Sequence, residues 1–323
     1  MRKRLLLLIL LGWVLLIIGD RVDELRVYQG AQIAMYTIAL SSIVLLTGYS
    51  GQVSLGNGAM MAVGGYAAAL TLNNLQTPIW FAFLMAILAA AIFGALLGAS
   101  AARLTGPYLA GTTLALAVGL PALANQFGFL GGEQGIIFDI GFPPERFGEE
   151  FSQYKWFFWI ATFIALISYF LVSNILHSRF GRTWRAIRGN SLAAELAGVH
   201  SARMKVLAFT VSSAIAGLAG AVLAMTISMV SPGAYALSLS FALVTGAVLA
   251  GISSLPGVML GAVILVAIPE IADVVAHRLG DSEKVITHLP GLIVSVLLIL
   301  SVIFTPNGPG ENLRKHRHKK SAH

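Results

Sequence analysis

Apolar segments recur down this chain over residues 5–19, 28–47, 57–72, 78–102, 104–125, 156–176, 206–230, 237–251, 257–276 and 288–305. A helix needs about 20 apolar residues to cross a bilayer core, where every backbone group must be satisfied without water. That recurrence predicts one fold class, an all-α polytopic transmembrane helical bundle of about 10 spans. The first run is short, so flanking residues must complete it. Met1-Arg2-Lys3-Arg4 ahead of it resembles the head of a secretion signal. Asp20, Arg21 and Asp23 follow where a small-residue cleavage site would stand, so the run reads as an uncleaved span. The runs 57–72 and 237–251 are also short. Each is either a tilted helix extended by its flanks or a half-helix buried against protein, and eight spans result if both re-enter.

Composition agrees with a lipid environment. Of 323 residues, 57% are hydrophobic and 11% are charged, against roughly a quarter charged in soluble domains. The 34 glycines lie scattered inside apolar runs, a pattern of close helix packing and helix breaks. With no cysteine, disulfides, thiol catalysis and Cys-ligated metal sites are excluded.

Charge tests the span count independently. If 1–4, Arg103, 177–205 and 306–323 share one side, that side holds 15 of the 21 basic residues and, of the 14 acids, only Glu195 and Glu311. The two sides then carry +13 and −6, which make up the net +7. Basic loops stay in the cytoplasm, so both termini are expected there, with an even number of spans. The basic tail, Arg314 to Lys320, could be read as a nucleic-acid arm or a metal tract, but nothing else in the chain supports either. It reads as an anchor on anionic headgroups, giving a lipid bilayer and no nucleic acid among the partners. The expected organisation is one membrane domain over 1–305, with a cytoplasmic loop at 177–205 inside it, and a basic cytoplasmic tail over 306–323. Segments 28–125 and 206–305 each hold four spans, starting from opposite sides, which suggests the inverted repeat that transporters use.

Enzyme signatures are missing: no phosphate-binding Gly-Lys-Ser/Thr loop, no His-Glu-x-x-His pair and no Gly-x-Ser-x-Gly elbow. No catalytic, cofactor-binding or metal-binding residue is predicted. Ion-coupled carriers keep a buried Asp, Glu or His, whereas Glu270, Asp273 and His288 sit near span ends and read as interfacial anchors. The driving energy is therefore expected to come from elsewhere.

Two interruptions stand out. Gly48 to Gly58 puts four glycines beside Ser50, Gln52, Ser54 and Asn57, which a lipid-facing helix could not carry. It is either a broken helix facing a polar path or a site of tight small-residue packing. Gly251 to Gly257, with Ser253, Ser254 and Pro256, is the matching break in the second half. In the loop, Arg179, Arg182, Arg185 and Arg188 recur every three residues, with Phe180, Trp184 and Ile187 between them. This is expected to form an amphipathic element on the membrane surface. Ser191 to Val199 follows as a compact helix capped by Ser191, with Ala194 and Glu195 in its first turn. That helix is either a peg for another protein or a solvated stretch obeying the charge rule, and composition alone leans to the second.

Three patches carry a family resemblance over about 31–306. They are Thr47 to Ala59, then Arg103 to Ala110 with Gly131 to Gly135, and finally Trp184 to Arg188 with Ala193 to Val199 and Lys205 to Phe209. Together they resemble the LivM-type permease subunit of bacterial ATP-binding-cassette importers for branched-chain amino acids. The resemblance implies a pore in the cell inner membrane, shared with a second homologous permease. It also implies two cytoplasmic ATP-binding subunits, which use the ATP, and a periplasmic substrate-binding protein. This chain would bind no cofactor. Arg185, Arg188, Ala194, Glu195 and Gly198 would serve ATPase coupling, and Gln52, Ser54 and Asn57 would line the substrate pathway. Leu130, Glu133-Gln134, Thr245 to Ala247 and Ile252 to Ser254 depart from the family pattern, which puts the substrate in doubt. Urea, short amides or another small solute is the alternative to branched-chain amino acids. The rival functions are an ion-coupled secondary transporter, a membrane-embedded enzyme and a structural scaffold.

Overall fold

The computed structural model describes residues 2–75, 77–102, 107–141, 143, 147, 151–279, 292 and 296. Arg103, His288, the basic tail and, apart from 292 and 296, the expected last span at 288–305 lie outside the described residues. In chain order the helices are α1 (Arg2–Arg21), α2 (Glu24–Ile43), α3 (Asn57–Leu75), α4 (Ile79–Ala101), α5 (Pro107–Gln126) and α6 (Gln153–His177). They continue with α7 (Arg179–Gly189), α8 (Ser191–Leu196), α9 (Ser201–Ile227), α10 (Leu237–Ala250) and α11 (Gly257–Leu279). One two-residue ladder pairs β1 (Ile136–Ile137) antiparallel with β2 (Met229–Val230).

Among the described residues, six helical stretches are long and apolar enough to cross a membrane: Glu24–Tyr49, Ile79–Ala101, Tyr108–Gln126, Gln153–His177, Ser201–Ile227 and Pro232–Ala250. The chain is an all-α helical membrane protein. Helices α1 and α3, of 20 and 19 residues, cover the expected segments 5–19 and 57–72. The short expected run at 237–251 is lengthened by a 3-10 turn, Pro232–Tyr235, so that 232–250 reaches 19 residues. Proline suits that first position because its missing N–H would find no partner in a first turn.

Small residues explain how the helices approach. Lipid is as apolar as leucine, so helices in a membrane associate through van der Waals fit rather than through burial from water. A Cβ on Gly64 of α3 would strike the backbone of Gly217 in α9, so these two helices meet backbone to backbone. Beside this contact, Gly94 and Gly98 of α4 face Ser213 and Phe209 of α9. Helix α2 packs on α6, α9 and α11. Leu84, Leu88, Ile92 and Leu96 form an exposed apolar stripe along α4, the face left for lipid.

The ends of the bundle differ. At the ladder end are two ion pairs: Arg26 in the first turn of α2 to Glu270 within α11 at 3.1 Å, and Lys155 in the first turn of α6 to Asp20 near the end of α1 at 3.2 Å. Glu270 thus has a partner, and α11 runs on beyond it to Leu279. The other end carries α7, α8 and both breaks. One local expectation is corrected there. The cap of α8 is Asn190 rather than Ser191, since Asn190 Oδ1 accepts from the Ala193 N–H at 3.0 Å. Asparagine caps at least as well as serine, and Ser191 is already helical, so Ala194 stands one place later than expected.

Candidate functional site

The first break begins where α2 loosens. Beyond Ile43 the chain runs on as a π-helical turn, Val44–Tyr49, and residues 50–56 leave helical geometry altogether before α3 starts at Asn57. The segment is both broken and tightly packed. The helix is broken and most of its polar groups find protein partners, while Gly48 packs so tightly that a Cβ there would strike the Ile252 carbonyl of the second break.

Three helices besides α3 supply partners for the α3 N-terminus and the segment before it, and a fourth, α9, braces one of them. The Leu55 N–H donates to Thr113 Oγ1 of α5 at 3.0 Å, and the Gly58 N–H to Ser240 Oγ of α10 at 3.1 Å. Asn57 Nδ2 donates to Ser42 Oγ of α2 at 2.9 Å, and Ser212 Oγ of α9 to the Ser42 carbonyl, also at 2.9 Å. Ser54 Oγ accepts from the Gly56 N–H at 3.2 Å. Ser42, Ser54, Asn57, Thr113, Ser212 and Ser240 are all buried. Every side chain in this cluster is neutral. Such a cluster has no group that takes up or releases a proton near neutral pH. Among the described residues no group of His, Asp and Glu could hold a metal ion.

Of the three residues expected on the pathway, Ser54 and Asn57 belong to this cluster and Gln52 does not. Gln52 is buried nearer α9, where Nε2 donates to Ser50 Oγ and to the Lys205 carbonyl at 3.3 Å, and Oε1 has no partner. Sequence reasoning missed Ser42, Thr113, Ser212 and Ser240, single hydroxyls inside apolar helices that only the packing brings together.

The 177–205 loop folds onto the same end. Helix α7 buries Gly181, Trp184 and Ile187, spaced for one face, and Trp184 Nε1 donates to the Met204 carbonyl of α9 at 2.9 Å. The amphipathic element is helical, and its apolar face meets protein. The Arg185 guanidinium lies over the Tyr49 ring, 5.5 Å from its centroid. The Arg188 Nη1 donates to the Gly48 carbonyl and, at 2.8 Å, to Ser253 Oγ. Both arginines thus reach the first break. In α8 only Ala194 is buried, and Glu195 is exposed. Gly198 turns the chain out of the helix with φ of 86°. Leu192 and Leu196, one turn apart, are 66% and 84% exposed. Sequence reasoning passed over this pair, although two leucines at that spacing in a helix outside the apolar runs are a legible sign of a docking face.

Comparisons with known proteins bear on this arrangement. The chain is 28% identical over 328 residues to the high-affinity branched-chain amino acid transport system permease protein LivM of Salmonella typhimurium, covering 94% of this chain and 73% of that protein. LivM of Escherichia coli strain K12 matches to the same extent. The permease protein LivH of Salmonella typhimurium is 27% identical over 292 residues, covering 84% of this chain and 90% of that protein. No solved structure matches significantly. Residues 28–302 match the family described as branched-chain amino acid transport system / permease component, which takes in both breaks, the cluster and the loop, and the chain belongs to that family.

Proposed function

We propose that this chain is a permease subunit of an ATP-binding-cassette importer, forming part of the pore for branched-chain amino acids delivered by a periplasmic binding protein. The observation that carries the reading is α8, a short capped helix outside the apolar bundle whose exposed face is Leu192 and Leu196 beside Glu195. Exposed leucines on a rigid helix suit a hydrophobic groove in another protein, here a cytoplasmic ATP-binding subunit. The neutral interior supports the same reading. A cluster without ionisable groups offers no proton relay, which suits a pore whose energy enters through a partner. ATP is bound and hydrolysed on two such partner subunits, and this chain binds no cofactor. Arg185 and Arg188 act behind the docking face, and Ala194, Glu195 and Gly198 shape it.

The finer architecture follows as part of the proposal. The chain spans a bacterial inner membrane ten times, with α1 and α3 counted as spans, an inverted repeat and both termini in the cytoplasm. Residues 1–305 form the permease domain and 306–323 a basic tail. Similarity to both LivM and LivH supports pairing with a second, homologous permease. The exposed face of α5 suits that partner: Gly111, Thr112, Ala115 and Asn125 leave room for close helix approach and for polar contact. Ser54, Asn57 and, at the inner end, Gln52 then border the route.

Uptake of radiolabelled leucine into vesicles holding the chain with its neighbouring permease, ATPases and binding protein tests this. ATP-driven uptake is expected in the wild type, with a loss of about tenfold or more in Glu195→Arg through weakened docking. Uptake of urea or an amide in place of leucine would keep the importer and replace its substrate. Uptake by this chain alone on an ion gradient would overturn the reading.

A further inference from the structure

We propose that Arg188 is the positioning residue through which motion of the 177–205 loop reaches both helix breaks at once. One guanidinium nitrogen bridges two segments far apart in the chain, donating to the Gly48 carbonyl and to Ser253 Oγ at 2.8 Å. Ser253 Oγ in turn stands 3.4 Å from the Gly48 carbonyl, so three groups close a ring around the contact of the two breaks. Cβ and Cγ of Arg188 lie beside Gly51, which seats the stem as well as the charge. The acceptor has a physical origin. Gly48 lies in the last turn of a helix, where carbonyls lack partners in their own helix. A charge-assisted bond to such a carbonyl is about twice as strong as a neutral one.

The lever behind Arg188 is rigid. Asn190 ties the end of α7 to the start of α8: its N–H donates to the Ala186 carbonyl at 3.0 Å, and its carbonyl accepts from the Ala194 N–H at 3.1 Å. Trp184 pins the middle of α7 to α9. A displacement of α8 therefore rocks α7 about Trp184 and moves Arg188 against both breaks together. The segment 50–56 leads into α3, whose N-terminus the neutral cluster holds, and 251–256 leads into α11. That the displacement comes from a docked ATPase rests on the proposed permease function; the bridge itself does not.

The test uses the assembled complex with the second permease, ATPases and binding protein, comparing wild type with Arg188→Met, Arg188→Lys and Ser253→Ala. Two quantities are read: leucine carried per ATP hydrolysed, and amide hydrogen exchange at 48–56 and 251–257. Arg188→Met keeps the apolar stem and removes the donors. It is expected to lower leucine per ATP about tenfold and to speed exchange at both breaks together. Lysine restores part of the ratio, and Ser253→Ala has a smaller effect than Arg188→Met. A purely structural role would cost assembly while leaving the ratio of the surviving complex unchanged, and that result overturns the proposal. Exchange that rises at one break only, or at neither, also overturns it. If the wild-type complex carries no leucine with ATP, the permease reading fails for leucine, and the exchange comparison still decides the bridge. If Arg188→Met does not assemble, Arg188→Lys and Ser253→Ala decide it by the same two readouts.

Discussion

The two helix breaks lie against each other, yet they keep their shapes by different means. In the first, the Ser50 and Gln52 N–H groups turn back on the π-helical turn, at 3.2 Å from the Leu45 and Leu46 carbonyls. Beyond them, the Leu55 and Gly58 N–H groups reach hydroxyls on α5 and α10, and Asn57 reaches α2. The second break closes on itself. The Ser254 N–H donates to the Gly251 carbonyl at 2.7 Å, the Gly257 N–H to the Ser254 carbonyl at 3.1 Å and to Ser254 Oγ at 3.2 Å. The first break is thus a tertiary junction that must respond when any of its neighbours moves. The second is a turn that carries its geometry with it. The two breaks are thus held differently, one mostly by its neighbours and one mostly by its own turn.

The most damaging change should fall where the two meet. Gly48→Ala drives a methyl group into the Ile252 carbonyl and forces the breaks apart, at a cost of about 3 kcal/mol as overpacking of a close contact. Unfolding in detergent reads this, and wild-type stability in the variant would mean that the breaks do not touch. A paired comparison sharpens the contrast. Ser240→Ala strands the buried Gly58 N–H and should cost about 2 kcal/mol, the penalty of an unmet buried donor. Ser254→Ala leaves the Gly257 N–H its bond to the Ser254 carbonyl and should cost about 0.5 kcal/mol. Equal losses would erase the distinction between junction and turn. The smallest effect on stability is expected away from both breaks. Leu196→Asp, on the exposed face of α8, should change stability by no more than about 0.5 kcal/mol while weakening co-purification of the ATPase about tenfold.

Much of the helical layout was legible in advance. The apolar run 156–176 became α6, and 78–102 became α4, because each is long enough to satisfy its own backbone in lipid. The polar run at 48–58 was recognisable as a break from its glycines and amides alone. Its partners were not. Ser42 Oγ donates to the Ala39 carbonyl at 2.6 Å and Thr113 Oγ1 to the Leu109 carbonyl at 3.0 Å, the usual fate of a hydroxyl inside an apolar helix. Nothing in the sequence marks that the same oxygens also accept from α3 and the segment before it. Arg188 illustrates the same gap. The repeat of arginines was visible, but which of them turns inward depends on how Trp184 and Ile187 seat α7.

The sequence by itself determined that this is a membrane-spanning helical chain with its basic residues gathered in a few short segments and its expected spans nearly free of ionisable groups. Those properties follow from the transfer of each segment into lipid, a cost that is local and adds up residue by residue. Only the tertiary structure decided that Ser54 and Asn57 share a cluster with Thr113 and Ser240, that Gln52 stands apart, and that Arg188 bridges the two breaks. Such bonds exist only when groups far apart in the chain come within about 3.5 Å of each other. That approach is set by helix contacts such as Gly64 on Gly217 and Gly48 on Ile252, whose partners no single segment contains.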